Sequence, residues 1–205
     1  MQMKFIGITG GVGAGKSEIL SYLAKMPDTR VMLADEIAHE LMKPGTECYA
    51  KIRTAFEADA VFLEDGTVDR RGMASVIFGD AEKREKMNAI VHPAVRSYVE
   101  EILEEERRRG MLKLLVLEAA LLIEEHYDEI CDELWYIDTR EEIRAQRLME
   151  SRGYSSEKVR QIFASQLAEE EYKSHCVVVI DNNGTVGETH RQIDQAVKGA
   201  AKKVL

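Results

Sequence analysis

The run Gly10-Gly11-Val12-Gly13-Ala14-Gly15-Lys16-Ser17 has the spacing G-x-x-x-x-G-K-S. Glycines spaced this way let successive backbone N–H groups converge on an anion that side chains would otherwise block. The lysine after the last glycine reaches the β- and γ-phosphates of a triphosphate such as ATP, and the next hydroxyl can hold Mg2+. Gly11, Val12, Gly13, Ala14 and Gly15 thus form a cradle, Lys16 a phosphate contact and Ser17 a metal ligand. Glu18 closes the nucleotide-contacting stretch; its own carboxylate would repel phosphate and suits the positive end of a starting helix.

Transfer of a phosphoryl group also needs a carboxylate beside the acceptor hydroxyl and cations for the moving charge. Asp35, just past a short apolar run, is the candidate base, and it can also cap a helix over Ile37 to Met42. Glu118 closes a second run, Leu114 to Leu117, and can bind Mg2+ through water. Arg140, Arg144, Arg147 and Arg152 gather around one helix, where their forked guanidinium groups suit phosphate oxygens; Arg147 is the foremost of them. Asn88 and His92 share a helical face at i, i+4 ahead of Pro93, which is expected to kink or restart that helix. A guanine-reading Asn-Lys-x-Asp segment is missing, which argues against a GTPase.

These residues need a scaffold. Lys4 to Thr9 reads as a buried strand, followed by the glycine loop and by a helix bearing Ile19, Leu20, Leu23 and Met26 up to Pro27. Arg30 to Leu33 is a second strand. From Glu36 to about Arg109 the pattern is mainly helical, with a hairpin-like break at Glu64-Asp65-Gly66-Thr67 and a long amphipathic helix carrying Met87, Val91, Val95, Tyr98 and Ile102. Strands return at Lys113 to Leu117, Glu133 to Asp138 and Cys176 to Ile180, with a helical stretch over Leu121 to Tyr127 between the first two. Capping boxes are expected at Thr139 with Glu142 and at Thr185 with Glu188, and Gly153-Tyr154-Ser155 separates two helices of a hairpin. Strands alternating with helices imply an α/β parallel sheet whose ligands lie beyond the strands' carboxyl ends.

Composition excludes several alternatives. The 205 residues carry a net charge of −9, without the basic excess of a nucleic-acid binder, and no apolar run long enough for a membrane span. The amino terminus leaves no room for a signal peptide before the glycine loop, and Cys48, Cys131 and Cys176 show no paired metal-ligand spacing, so reduced thiols in the cytoplasm are expected. No heptad or exposed apolar stripe calls for an oligomer, which favours a monomer.

Eight segments occur in one order: the loop from Thr9 to Ser17, Ala34-Asp35-Glu36, Pro44-Gly45, Asp65-Gly66-Thr67-Val68-Asp69-Arg70, Asn88 with His92-Pro93, Leu121 to Glu124, Gln146-Arg147-Leu148-Met149, and Val179 to Gly184. Together they resemble dephospho-CoA kinase over nearly the whole chain. The resemblance implies a P-loop kinase fold with a parallel sheet flanked by helices, a helical substrate-binding insertion and a helical lid. It implies transfer of the ATP γ-phosphoryl group, with Mg2+, to the ribose 3′-hydroxyl of dephospho-CoA, the last step of coenzyme A biosynthesis. It assigns 1–34, 111–139 and 171–205 to the nucleotide-binding core, 35–110 to the CoA-binding region and 140–170 to the lid. It makes Asp35 the base, Arg147 a lid arginine, and Arg70, Asn88 and His92 parts of the acceptor site. The chain departs from the usual family pattern at Leu33, Ala120 and Ser151. The residues by themselves leave open another small-molecule or nucleotide kinase, or a relative that binds nucleotide or CoA without phosphoryl transfer.

Overall fold

The computed structural model describes residues 3–199; Met1 and Gln2 of the amino-terminal run, and residues 200–205 at the end of the expected 171–205 segment, lie outside the described residues. The elements run β1 (Lys4–Thr9), α1 (Lys16–Leu23), β2 (Thr29–Leu33), α2 (Ala34–Leu41), α3 (Glu47–Ala55), α4 (Arg70–Gly79) and α5 (Ala81–Arg109). There follow β3 (Leu114–Glu118), β4 (Glu133–Asp138), α6 (Glu141–Arg152), α7 (Ser156–Ala164), α8 (Glu169–His175), β5 (Val178–Asp181) and α9 (Val186–Val197).

The strands form one five-stranded sheet in the order β2-β3-β1-β4-β5. β1 pairs in parallel with β3, Phe5 opposite Leu115, and with β4, Ile8 opposite Trp135; β4 pairs in parallel with β5. A parallel sheet flanked by helices is buried on both faces, so its strands read as continuous apolar runs rather than alternating ones. Phe5, Ile6, Ile8, Leu115, Val116, Leu117, Trp135 and Ile137 are accordingly all fully buried. The order puts β1 in the middle of the sheet, so the loop after it opens between the ends of β3 and β4.

Two compact units emerge: Met1–Met32 with Glu106–Leu205, which holds the sheet, and Leu33–Glu105. The second has its own core of Cys48, Ile52, Phe56, Val61, Met73 and Met87. Two of its helices, α3 and α4, are started by side chains: Thr46 accepts from the Tyr49 amide at 3.0 Å and Asp69 from the Arg71 amide at 3.0 Å. The break at 64–67 is a tight return, in which Asp65 accepts from the Thr67 amide and Phe62 bridges Val68 in antiparallel fashion.

Three local expectations are corrected. First, α5 runs through Pro93 without stopping. Proline there removes one backbone hydrogen bond and crowds the preceding turn, at about 3 kcal/mol. Burial of Met87, Val95, Val99 and Leu103 along the helix, each contributing about 1.5–3 kcal/mol, outweighs it. Second, 121–127 is a series of turns ending in a 3₁₀ turn at Tyr127–Glu129, because His126 takes a left-handed φ of 54° that a helix cannot continue through. Third, Thr139 does not cap α6; Arg140 occupies the cap position with no side-chain bond, for a reason that lies in the phosphate loop.

The second capping box does form. Thr185 accepts from the Glu188 amide at 3.4 Å, while Glu188 accepts from the Thr185 amide at 2.8 Å. Both residues are exposed, so the cap is a local contribution to α9. Thr185→Ala is expected to lower stability by about 1 kcal/mol, or roughly 2–4 °C in the melting midpoint of a chain this size. A thermal melt followed by circular dichroism checks it, and an unchanged midpoint would mean the cap contributes nothing.

Candidate nucleotide site

β1 ends at Thr9 and the glycine loop turns directly into α1, whose first residue is Lys16. Gly15 caps that helix with φ 89°, a left-handed conformation that a side chain would strain, and a Cβ there would also strike the Asn182 amide. The loop is braced internally by the Ala14 amide donating to the Gly11 carbonyl at 3.0 Å. Lys16 folds back so that Nζ donates to the Gly10 carbonyl at 2.7 Å and lies 3.5 Å from Glu118 Oε1. The ammonium therefore sits at the ends of β1 and β3 together. Ser17 is exposed in the first turn of α1. The Glu18 carboxylate lies 3.4 Å from His190 Nε2 on α9.

The outer side of the loop is held by side chains from three places. The Ala14 carbonyl accepts from Thr139 Oγ1 at 3.0 Å, from Asn182 Nδ2 at 2.7 Å and from Arg147 Nη1 at 3.2 Å. Thr139 and Asn182 are the first residues past β4 and β5, and both are buried. Thr139 spends its hydroxyl on this buried carbonyl rather than on a helix cap that water can satisfy, since an unmet buried acceptor costs about 1–3 kcal/mol. The Asn182 carboxamide is itself oriented by Thr189, whose hydroxyl donates to its Oδ1 at 2.9 Å. Arg147 also donates to the Asn182 carbonyl at 3.3 Å. One turn earlier on α6, Arg144 Nε donates to the Val12 carbonyl at 3.0 Å.

Electrostatics around the loop follow from burial. Desolvation holds the Arg144 guanidinium below its usual range, and it pushes the Asp138 carboxyl at the end of β4 upward despite the nearby Lys173. Among the described residues no group of three His, Cys, Asp or Glu side chains surrounds a common point. Ser17 lies in the first turn of α1 and Glu118 at the end of β3.

The other expected site residues belong to the second unit. Asp35 is the second residue of α2 and exposed; the helix already begins at Ala34, with Leu33 in the cap position, so Asp35 is not its cap. Arg70 opens α4 and is exposed, and Asn88 and His92 are half-buried on α5, four residues apart. Sequence reasoning missed Thr139 and Asn182. A signal was present: each directly follows a buried strand, at the end where a parallel sheet presents its ligand-facing residues.

The dephospho-CoA kinase (CoaE) family model matches residues 4–188. A dephospho-CoA kinase of Geobacter sulfurreducens is 38% identical over 193 residues, covering 94% of this chain and 96% of that protein. A crystal structure of a Thermus thermophilus protein superposes with a TM-score of 0.78 at 29% identity, covering 97% of this chain and 98% of that one. The dephospho-CoA kinase of Campylobacter jejuni shares the fold, with a TM-score of 0.70 at 19% identity over 95% of this chain and 98% of its own. With its glycine loop, central parallel sheet and full-length similarity, the chain belongs to the dephospho-CoA kinase family.

Proposed function

We propose that this protein transfers the γ-phosphoryl group of ATP to the ribose 3′-hydroxyl of dephospho-CoA, giving CoA and ADP in the final step of coenzyme A biosynthesis. The observation that carries the reading is the phosphate loop itself, with Lys16 between the Gly10 carbonyl and Glu118 and its outer carbonyls fastened to β4, β5 and α6. Such a loop is already shaped for a triphosphate before the nucleotide arrives.

In this reading Lys16 and the amides of Gly11 to Ser17 hold the phosphates. Mg2+, when bound, would supply positive charge against that of the phosphates. Ser17 would ligate it directly and Glu118 through water. Asp35 takes the proton as the 3′-oxygen bonds to the γ-phosphorus and the bond to the ADP oxygen breaks. Arg147, fixed at the edge of the loop, adds positive charge where the transferring group loses its bridging oxygen. Arg70, Asn88 and His92 belong to the CoA-binding region of 35–110, and 140–170 to the lid. The compartment that fits is the cytoplasm: all three cysteines are free thiols, and among the described residues no helix is long and apolar enough to cross a membrane.

Incubation with Mg-ATP and dephospho-CoA is expected to yield CoA and ADP in equal amounts. Turnover no greater than that of Lys16→Ala would refute the reaction. Asp35→Asn should reduce kcat by about 10²-fold or more while ATP affinity is nearly kept, the scale of lost general-base catalysis; an unchanged kcat removes Asp35 from the mechanism. Asn182→Asp replaces the amide donor to Ala14 with a carboxylate facing a carbonyl. It is expected to cost about 1–3 kcal/mol of stability and to weaken ATP binding. Melts with and without Mg-ATP read both effects, and a wild-type midpoint in each would deny the contact any weight.

A further inference from the structure

Arg144 is the arginine whose role neither the reaction nor the lid accounts for. Its side chain is fixed at three points within the sheet-bearing unit. Nε donates to the Val12 carbonyl at 3.0 Å, Nη2 donates to the Gln166 side-chain oxygen, and the guanidinium lies 4.3 Å above the ring of Phe163. Phe163 is on α7 and Gln166 lies just beyond its end, so one planar group ties the phosphate loop to the helix following α6. Among the described residues no carboxylate lies within ion-pair distance of it; burial penalises its charge, and Glu141 on the same helix offsets part of that penalty from farther away.

The opposite side of the contact is Gly11. A Cβ built on Gly11 would overlap the Arg144 guanidinium, and Gly11 is not among the glycines with positive φ. Besides keeping the cradle open to an anion, its missing side chain leaves room for the close approach of this arginine, and its backbone conformation does not itself require glycine. The phosphate loop's second glycine and an arginine over 130 residues away form a single fitted pair.

From this we propose that Arg144 is a positioning residue for ATP. It sets the Val12 peptide of the phosphate loop and places a guanidinium without an ion-pair partner beside it, with Gly11 as the socket that admits it and Phe163 and Gln166 as its backing. Anionic phosphate in the loop would supply the close countercharge that no ion pair gives it. The inference rests on the loop being the ATP site, and does not depend on which acceptor is phosphorylated.

The test is ATP affinity by titration calorimetry, without acceptor, for wild type, Arg144→Lys, Arg144→Ala, Gly11→Ala and the Gly11→Ala/Arg144→Ala pair, with melting midpoints and steady-state kinetics alongside. Arg144→Ala should weaken ATP binding and raise KM for ATP by about tenfold or more, as expected for a charged hydrogen bond, with KM for dephospho-CoA within about twofold. Arg144→Lys should recover only part of this, because an ammonium has neither the fork nor the flat face. Gly11→Ala should weaken ATP binding comparably in the wild type yet add no more than about twofold once Arg144 is gone. Purely structural packing would lower the midpoint of Arg144→Lys while leaving ATP affinity within about twofold, and that result overturns the proposal, as does strict additivity of the Gly11 and Arg144 changes. Turnover of dephospho-CoA by the wild type reports on the reaction separately, so the two ideas fail independently.

Discussion

The site is organised around the carbonyl oxygen of Ala14. A loop that turns its N–H groups toward an anion turns its carbonyls the other way, and here they meet the interior instead of water. Ala14 faces Thr139, Asn182 and Arg147, three donors for two lone pairs, drawn from the ends of β4 and β5 and from α6. Losing any one removes a tie between the loop and the elements around it, so the cost falls on the scaffold. The cradle's inner face can then stay open, because its shape is set from outside.

That arrangement explains which parts of the chain were legible. The strands, the glycine loop, the Thr185 cap and the Gly153 break are determined by residues a few positions apart, and each forms where spacing puts it. Thr139 was misread because its local option, capping α6, competes with a carbonyl 125 residues away that sequence spacing does not reveal. The restart expected at Pro93 does not occur, since its local penalty is smaller than the contribution of the apolar face that continues on either side of it. Local rules fail where a buried partner outbids them, and at Thr139 that partner belongs to the functional site.

The sheet-bearing unit also secures the points where the chain leaves and returns. Glu106, the first residue after the second unit, is buried and accepts from Arg30 Nη1 at 2.6 Å, with Arg109 at 3.5 Å. Arg30 lies on β2, three residues before the departure at Leu33. A carboxylate that is 7% exposed would be costly alone, and two guanidinium groups offset that. Asp35 and the residues expected to meet the acceptor are carried on the segment between those points, whose own apolar core forms without the sheet.

A net charge of −9 is, taken over the whole chain, unfavourable for binding a polyanion. At physiological ionic strength the screening length is about 8 Å, so carboxylates spread over the surface act weakly on a ligand in the loop. What acts there is local: the positive end of α1, the Lys16 ammonium, and two arginines one turn apart on α6 that are bonded to loop carbonyls. Those arginines lie in partly buried surroundings, where charge is felt more strongly than in water. Their hydrogen bonds to neutral carbonyls hold them in place without cancelling them, as a salt bridge would. The chain's acidity is thus a property of its surface, while at the loop Arg144 and Arg147 are kept in position by neutral carbonyls.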